Sequence, residues 1–199
     1  MNRRVLILIS SVVVGLIAVA GIGLIFFQPH TFHGTLLQSP DPAAEFSLRA
    51  QDGQEVSLAQ FRGKLVLLYF GYTYCPDVCP ATLAESVEAM KLLGKQAEDV
   101  QVIMISVDPE RDTPEVMGNY MRQFDARFIG LSGSPDEIAR IATLYGIFYE
   151  KTEGTEATGY LVNHTASLLL LDQKGHLKLV FPYGTSGEDL ASDLAYLLR

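Results

Sequence analysis

The chain of 199 residues carries 23 acidic and 15 basic side chains, a formal net charge of −8 and a pI near 4.9. No dense Lys/Arg stripe is available to follow a phosphate backbone, which excludes nucleic acid as a partner, and the length leaves room for one compact domain rather than two. Hydrophobic residues make up 48% and the mean hydropathy is +0.19, so part of the apolar content is expected in a membrane segment.

Val5 to Phe27 reads VLILISSVVVGLIAVAGIGLIFF without a charged side chain, and about 20 such residues cross the hydrocarbon core as a helix. Arg3 and Arg4 precede it. Residues 1–4 are therefore expected in the cytoplasm, 5–27 as a transmembrane anchor, and the remainder outside. Ala18-Val19-Ala20 has the small-residue pattern of a signal-peptide cleavage site, but the apolar run continues to Phe27, where a mature exported chain would turn polar. No Arg- and Ser-rich amphipathic presequence is visible, so the expected location is a bacterial inner membrane, single-pass, with the C-terminal domain in the periplasm. Residues 28–44, with Pro29, Gly34, Pro40 and Pro42, read as a linker, and 45–199 as the folded domain.

Within that domain, Phe46-Ser-Leu and Val56-Ser-Leu flank Asp52-Gly53 as a hairpin. Lys64 to Phe70 is a short continuous apolar run, the pattern of a strand buried on both faces. Leu83, Val87 and Met90 at helical spacing predict an amphipathic helix over Ala81 to Leu93. Val100 to Val107 is a second buried strand, Thr113-Pro114 caps a helix reaching about Phe124, and Phe128 to Leu131 is short and apolar. Ser134 to Glu137 opens another helix with a capping box. Ser167 to Leu171 and Leu177 to Phe181 flank a turn, and Ser186 to Leu198 forms the last helix. This order predicts an α/β domain with a thioredoxin-like mixed sheet flanked by helices. A flavodoxin-like sheet is the alternative, but no phosphate-cradling Gly-rich turn follows the first buried strand.

Two thiols stand there instead, Cys75 and Cys79, ahead of a helix expected to begin near Pro80. The free N–H groups of a helix N-terminus favour thiolates, and four-residue spacing puts the Cα atoms about 6 Å apart, close enough for a disulfide or for one metal ion. An inert staple is the plain alternative, but closing so short a loop stabilises little, so the pair is read as redox-active or metal-capturing. His164 precedes a buried strand in what reads as an entry loop; alone it would pass for a surface histidine. His30, His33 and His176 are read as linker or surface residues, and Tyr72 and Tyr74 as walls of the thiol site.

Tyr69-Phe70-Gly71-Tyr72-Thr73, Cys75-Pro-Asp-Val-Cys79-Pro80, Ser106-Val-Asp108-Pro-Glu-Arg-Asp112-Thr113 and Asn163-His164-Thr165 occur in one order. In these four motifs, over a region from about Phe46 to the C-terminus, the sequence resembles the Sco/SenC family of copper chaperones for cytochrome c oxidase assembly. The resemblance implies that Cys75, Cys79 and His164 ligate one copper ion. It also implies delivery to the dinuclear copper centre of cytochrome c oxidase subunit II, with copper supplied by a donor of unknown identity. Soft thiolates favour Cu(I), and an imidazole beside them accommodates Cu(II) as well. Structural zinc needs four protein ligands, although three and a water would suit catalytic zinc. Asp77, Asp108 and Asp112 are candidates for supporting the ligands or meeting a partner; the plainer alternative is that Asp112 or Thr113 caps the next helix and Asp108-Pro109 makes a turn. The competing functions are a thiol-disulfide oxidoreductase that reduces the target cysteines, and a thiol peroxidase in which Cys75 attacks and Cys79 resolves. The oxidoreductase motif usually has two intervening residues and needs no histidine.

Overall fold

The computed structural model describes residues 30–37, 41–155 and 159–199. The chain divides into two compact units, Met1–Thr31 and Phe32–Arg199. The expected anchor at residues 5–27 lies outside the described residues, among which no helix is long and apolar enough to cross a membrane. In chain order the elements are β1 (Thr35–Leu36), β2 (Ser47–Arg49), β3 (Glu55–Ser57), β4 (Leu65–Gly71), α1 (Val78–Leu93), β5 (Val100–Ser106), α2 (Pro114–Arg122), β6 (Ile129–Leu131), α3 (Pro135–Leu144), β7 (Tyr149–Glu153), β8 (Tyr160–His164), β9 (Leu168–Leu171), β10 (Leu177–Phe181) and α4 (Gly187–Leu197).

The main sheet runs β1-β10-β9-β4-β5-β6. Its β4, β5 and β6 are parallel, while β9 lies antiparallel to β4 and β10 to β9. All seven residues of β4 and all four of β9 are buried, so both faces of the sheet are covered, as their uninterrupted apolar runs require. This is the thioredoxin-like mixed sheet expected from the sequence. Burying each Leu of these strands contributes roughly 1.5–3 kcal/mol. The β2–β3 hairpin forms with Leu48 opposite Val56. Thr113 caps α2 by accepting from the Val116 N–H, and Ser134 and Glu137 complete the capping box of α3.

Three local expectations change. Helix α1 begins at Val78 rather than near Pro80, so Cys79 lies in its first turn. Pro80 is tolerated there because the first four N–H groups of a helix have no intrahelical acceptor. Thr35–Leu36, inside the stretch read as linker, pairs with Val180 and Leu179 as an edge strand. His33, read as a linker or surface residue, is exposed, and it ties this stretch down: its backbone N–H donates to the buried Asp193 at 2.9 Å, and its ring lies 3.2 Å from both Asp193 and Asp189. Finally, β7 and β8 form a hairpin of their own, so His164 ends a strand instead of sitting in an entry loop.

Candidate metal centre

The site is built at the C-terminal ends of the parallel strands, where the chain leaves β4 for α1 and β5 for α2. After Gly71 the segment Tyr72 to Asp77 turns over the sheet, with Cys75 N–H donating to the Tyr72 carbonyl at 3.3 Å. Cys75 is 8% exposed and Cys79 is fully buried. The Cys79 N–H, one of the orphan donors of the α1 N-terminus, points at Cys75 Sγ at 3.4 Å. Both cysteines are free thiols.

The β7–β8 hairpin brings in the third group. His164 Nε2 lies 3.4 Å from Cys79 Sγ, and the ligand atoms of Cys75, Cys79 and His164 all lie within 4.8 Å of one another. His164 Nδ1 sits 3.1 Å from the Thr165 carbonyl oxygen. A carbonyl only accepts, so Nδ1 carries the hydrogen and the Nε2 lone pair faces the sulfurs, the arrangement by which a backbone acceptor fixes a metal-binding tautomer. Two sulfurs and one imidazole nitrogen at this spacing form a donor set suited to a single soft or borderline metal ion.

The two thiols titrate in opposite directions. Hydrogen bonding from Cys79, assisted by the N–H groups of Asp77 and Cys79, lowers the Cys75 pKa to about 4 against the opposing effect of burial. The same hydrogen bond, with burial and the neighbouring charge, pushes the Cys79 thiol far up. The expectation of two lowered pKa values is therefore met by Cys75 alone, because two thiolates this close repel one another.

Tyr69 and Tyr72 pack edge-on around the imidazole, with centroids 6.0 and 5.8 Å from that of His164. Tyr69 was not singled out as a site residue. Its hydroxyl, kept protonated by burial, donates to Cys79 Sγ at 3.5 Å. Tyr72 walls the site as expected, and its hydroxyl accepts from the Val162 N–H of β8 at 3.2 Å. Tyr74 turns outward and is 56% exposed. Cys75 and His164 open into a shallow recess of about 340 Å³ also lined by Asp77 and Asn163. Asp77 is exposed at the N-cap of α1, and its side chain makes no capping bond. A larger recess, about 640 Å³, lies between the β2–β3 hairpin and the starts of α2 and α3 and holds no thiol or imidazole.

Asp108 and Asp112 are both fully buried and do not reach the sulfurs. Asp112 accepts from the Thr73 N–H at 3.0 Å, the Thr73 hydroxyl at 2.6 Å and the Ser106 hydroxyl at 2.8 Å, which ties the cysteine loop to the end of β5. Burial raises its pKa despite those donors. Thr113, rather than Asp112, caps α2. Asp108 accepts from the Tyr160 hydroxyl at 2.6 Å and from Arg111 Nε.

The SCO1/SenC family model matches residues 35–199. The chain belongs to the SCO1/SenC family. Among Sco relatives it is 42% identical over 127 residues to the Arabidopsis thaliana mitochondrial SCO1 homolog 1, covering 63% of this chain and 38% of that protein. It is 35% identical over 161 residues to the Bos taurus mitochondrial SCO2 homolog, covering 80% of this chain and 60% of that one. The chain thus spans between two-fifths and three-fifths of the length of these relatives. Bradyrhizobium japonicum ScoI, solved with copper bound, superposes with a TM-score of 0.72 at 41% identity, over 79% of this chain and 99% of that one. BsSco, described with a disulfide switch as a member of the Sco family of cytochrome c oxidase assembly proteins, gives 0.65 at 25% identity, over 83% and 99%. The thioredoxin domain of a Bacteroides vulgatus thiol-disulfide oxidoreductase, with a TM-score of 0.55 at 17% identity over 82% and 99%, shares the fold.

Proposed function

We propose that this Sco protein is a copper metallochaperone that carries one copper ion on Cys75, Cys79 and His164. It delivers the ion to the dinuclear copper centre of cytochrome c oxidase subunit II. The observation that carries this reading is the convergence of the two sulfurs and Nε2 within 4.8 Å; copper bound by a Sco structure 41% identical supports it. The thiolates favour Cu(I) and the imidazole extends the set to Cu(II). Three ligands, with Cys75 at the mouth of the recess, leave room for an incoming cysteine or histidine of the acceptor, so the ion can pass by ligand exchange. Asp77 at that mouth is a partner contact, while Asp108 and Asp112 hold the loops that present the ligands. Residues 5–27 anchor the carrier in a bacterial inner membrane, with the copper site on the periplasmic side, where subunit II and the copper donor are met.

Reduction of the target's cysteines is the second reading, favoured by the opposite titration of the two thiols: a reactive Cys75 thiolate backed by a protonated Cys79 is the pairing that thiol exchange uses. Titration of the reduced protein with Cu(I), followed by metal analysis and X-ray absorption, tests the first reading. One equivalent held by two sulfurs and one nitrogen is expected. A protein that retains no copper but still exchanges disulfides overturns the chaperone in favour of the reductase. In His164→Ala, copper affinity falls while disulfide exchange persists; equal loss of both contradicts the division of roles.

A further inference from the structure

The histidine ligand arrives on a hairpin that pairs with nothing but itself: among the described residues β7 and β8 form a two-stranded sheet separate from the main one. An isolated two-stranded hairpin is marginal in water. The distance from His164 to the thiols therefore depends on side-chain contacts that fasten β8 to the cysteine loop. On β8, Tyr160, Val162 and His164 share one face, as the alternation of a strand requires, with Val162 the buried residue between two half-buried ones. His164 meets Cys79, and the Val162 N–H meets the Tyr72 hydroxyl. The third fastening, at Tyr160, is made by Arg111.

Arg111 comes from the loop after β5, and its side chain is 17% exposed. Its guanidinium carbon lies 3.7 Å from the centre of the Tyr160 ring and 4.6 Å from that of Tyr74, next to Cys75; the Tyr72 ring centre is 5.8 Å away. One guanidinium nitrogen donates to the Tyr160 carbonyl at 3.0 Å, and Nε donates to the fully buried Asp108, whose other oxygen accepts from the Tyr160 hydroxyl. Lys151 Nζ on β7 lies 4.7 Å from the centre of the same Tyr160 ring and pairs with Glu110, the neighbour of Arg111. A planar cation stacked on two aromatic rings while donating along its edges locks orientation in a way that an ammonium point charge does not.

We propose that Arg111 is the positioning residue of the metal centre: stacked with Tyr160 of the histidine hairpin and Tyr74 of the cysteine loop, it sets the distance at which His164 meets Cys75 and Cys79. It touches no ligand atom itself, and its effect on the metal rests on the copper-binding reading above, whereas its effect on the hairpin does not.

The test uses the full-length chain, reduced and metal-free, then loaded with Cu(I). In Arg111→Gln the nuclear Overhauser contacts between the rings of His164 and Tyr72 disappear and amide-exchange protection at Val162 falls, while β4 and β5 stay protected. Loaded with copper, the variant keeps two sulfurs but loses the nitrogen from its X-ray absorption spectrum, and its affinity drops by about tenfold to a hundredfold, the range for lost outer supports of metal ligands. Arg111→Lys keeps the charge and behaves like Arg111→Gln; rescue by lysine would reduce the role to charge alone and overturn the proposal. So would a folded Arg111→Gln with unchanged ring contacts and an unchanged two-sulfur, one-nitrogen spectrum. Tyr74→Leu removes one face of the stack at an exposed position, so it tests the inference even if the arginine variants do not fold. It weakens Cu(I) binding and loosens Val162, and no change in either refutes the clamp. Wild-type protein that binds no copper through nitrogen would defeat the chaperone reading, and the metal-free ring contacts would still decide the role of Arg111.

Discussion

Gly71, the last residue of β4, has room for nothing larger. A Cβ there would lie 2.9 Å from Cys79 Sγ, 2.7 Å from the Tyr69 ring and 2.8 Å from Met104 Cε. The sulfur that faces His164 thus rests directly over the strand's backbone. Gly71→Ala is expected to displace it, lowering Cu(I) affinity about tenfold and stability by about 1–3 kcal/mol. Competition titration and urea unfolding measure the two effects. The Cys75 thiol has a pH signature of its own. Its pKa is lowered to about 4 in the folded protein, so the reactive thiolate survives as pH falls and is lost only through about that value. Alkylation of the reduced, metal-free protein should be flat through neutral and mildly acidic pH. Its inflection should move upward in Cys79→Ala, which removes the largest stabilising hydrogen bond; an inflection in the wild type near the ordinary thiol value contradicts the arrangement. The cysteine pair, its spacing and its place after a buried strand were all legible in the sequence. The division of charge between the thiols was not, because it depends on which sulfur receives the other's hydrogen bond.

Elements with strong local signals formed where the sequence put them. The buried runs became β4 and β5, and the Ser134 capping box opens α3. Ser134→Ala removes the acceptor for the Glu137 N–H, and its expected cost is about 1 kcal/mol in urea unfolding, with copper binding untouched because α3 carries no ligand. The β7–β8 hairpin was missed for a physical reason. Tyr149–Glu153 has an exposed or half-exposed pattern, with charged Glu150, Lys151 and Glu153 among its five residues, so it lacks the apolar alternation that marks a half-buried strand. It is held by contacts of β8 with Arg111 and Tyr72, neither of which is local in sequence. Edge strand β1, only two residues long, was likewise invisible: its pairing residues on β10 are Val180 and Leu179.

At the scale of the molecule, the compact unit begins at Phe32, thirteen residues ahead of the boundary the linker composition implies. The buried Asp193 of α4 accepts from the His33 N–H at 2.9 Å and the Gly34 N–H at 3.0 Å, and β1 covers the edge of β10. A chain beginning at residue 45 strips those donors from a buried carboxylate, an expected loss of about 1–3 kcal/mol. It also bares the β10 edge to pairing between molecules. Urea unfolding and light scattering against a chain beginning at residue 32 read both effects, and equal stability of the two would show that the N-terminal strap contributes nothing. By itself the sequence determined the α/β class, the buried strands, the helix caps and the paired thiols, because periodicity, capping and helix-terminus electrostatics act over a few neighbouring residues. Four ordered motifs placed it in its family. Only the tertiary structure decided that His164, 85 residues beyond Cys79, turns its Nε2 toward the sulfurs, that Tyr69 donates to Cys79, and that Arg111 joins the two halves of the site. Those contacts exist only after the chain has folded, between segments whose local sequences carry no record of one another.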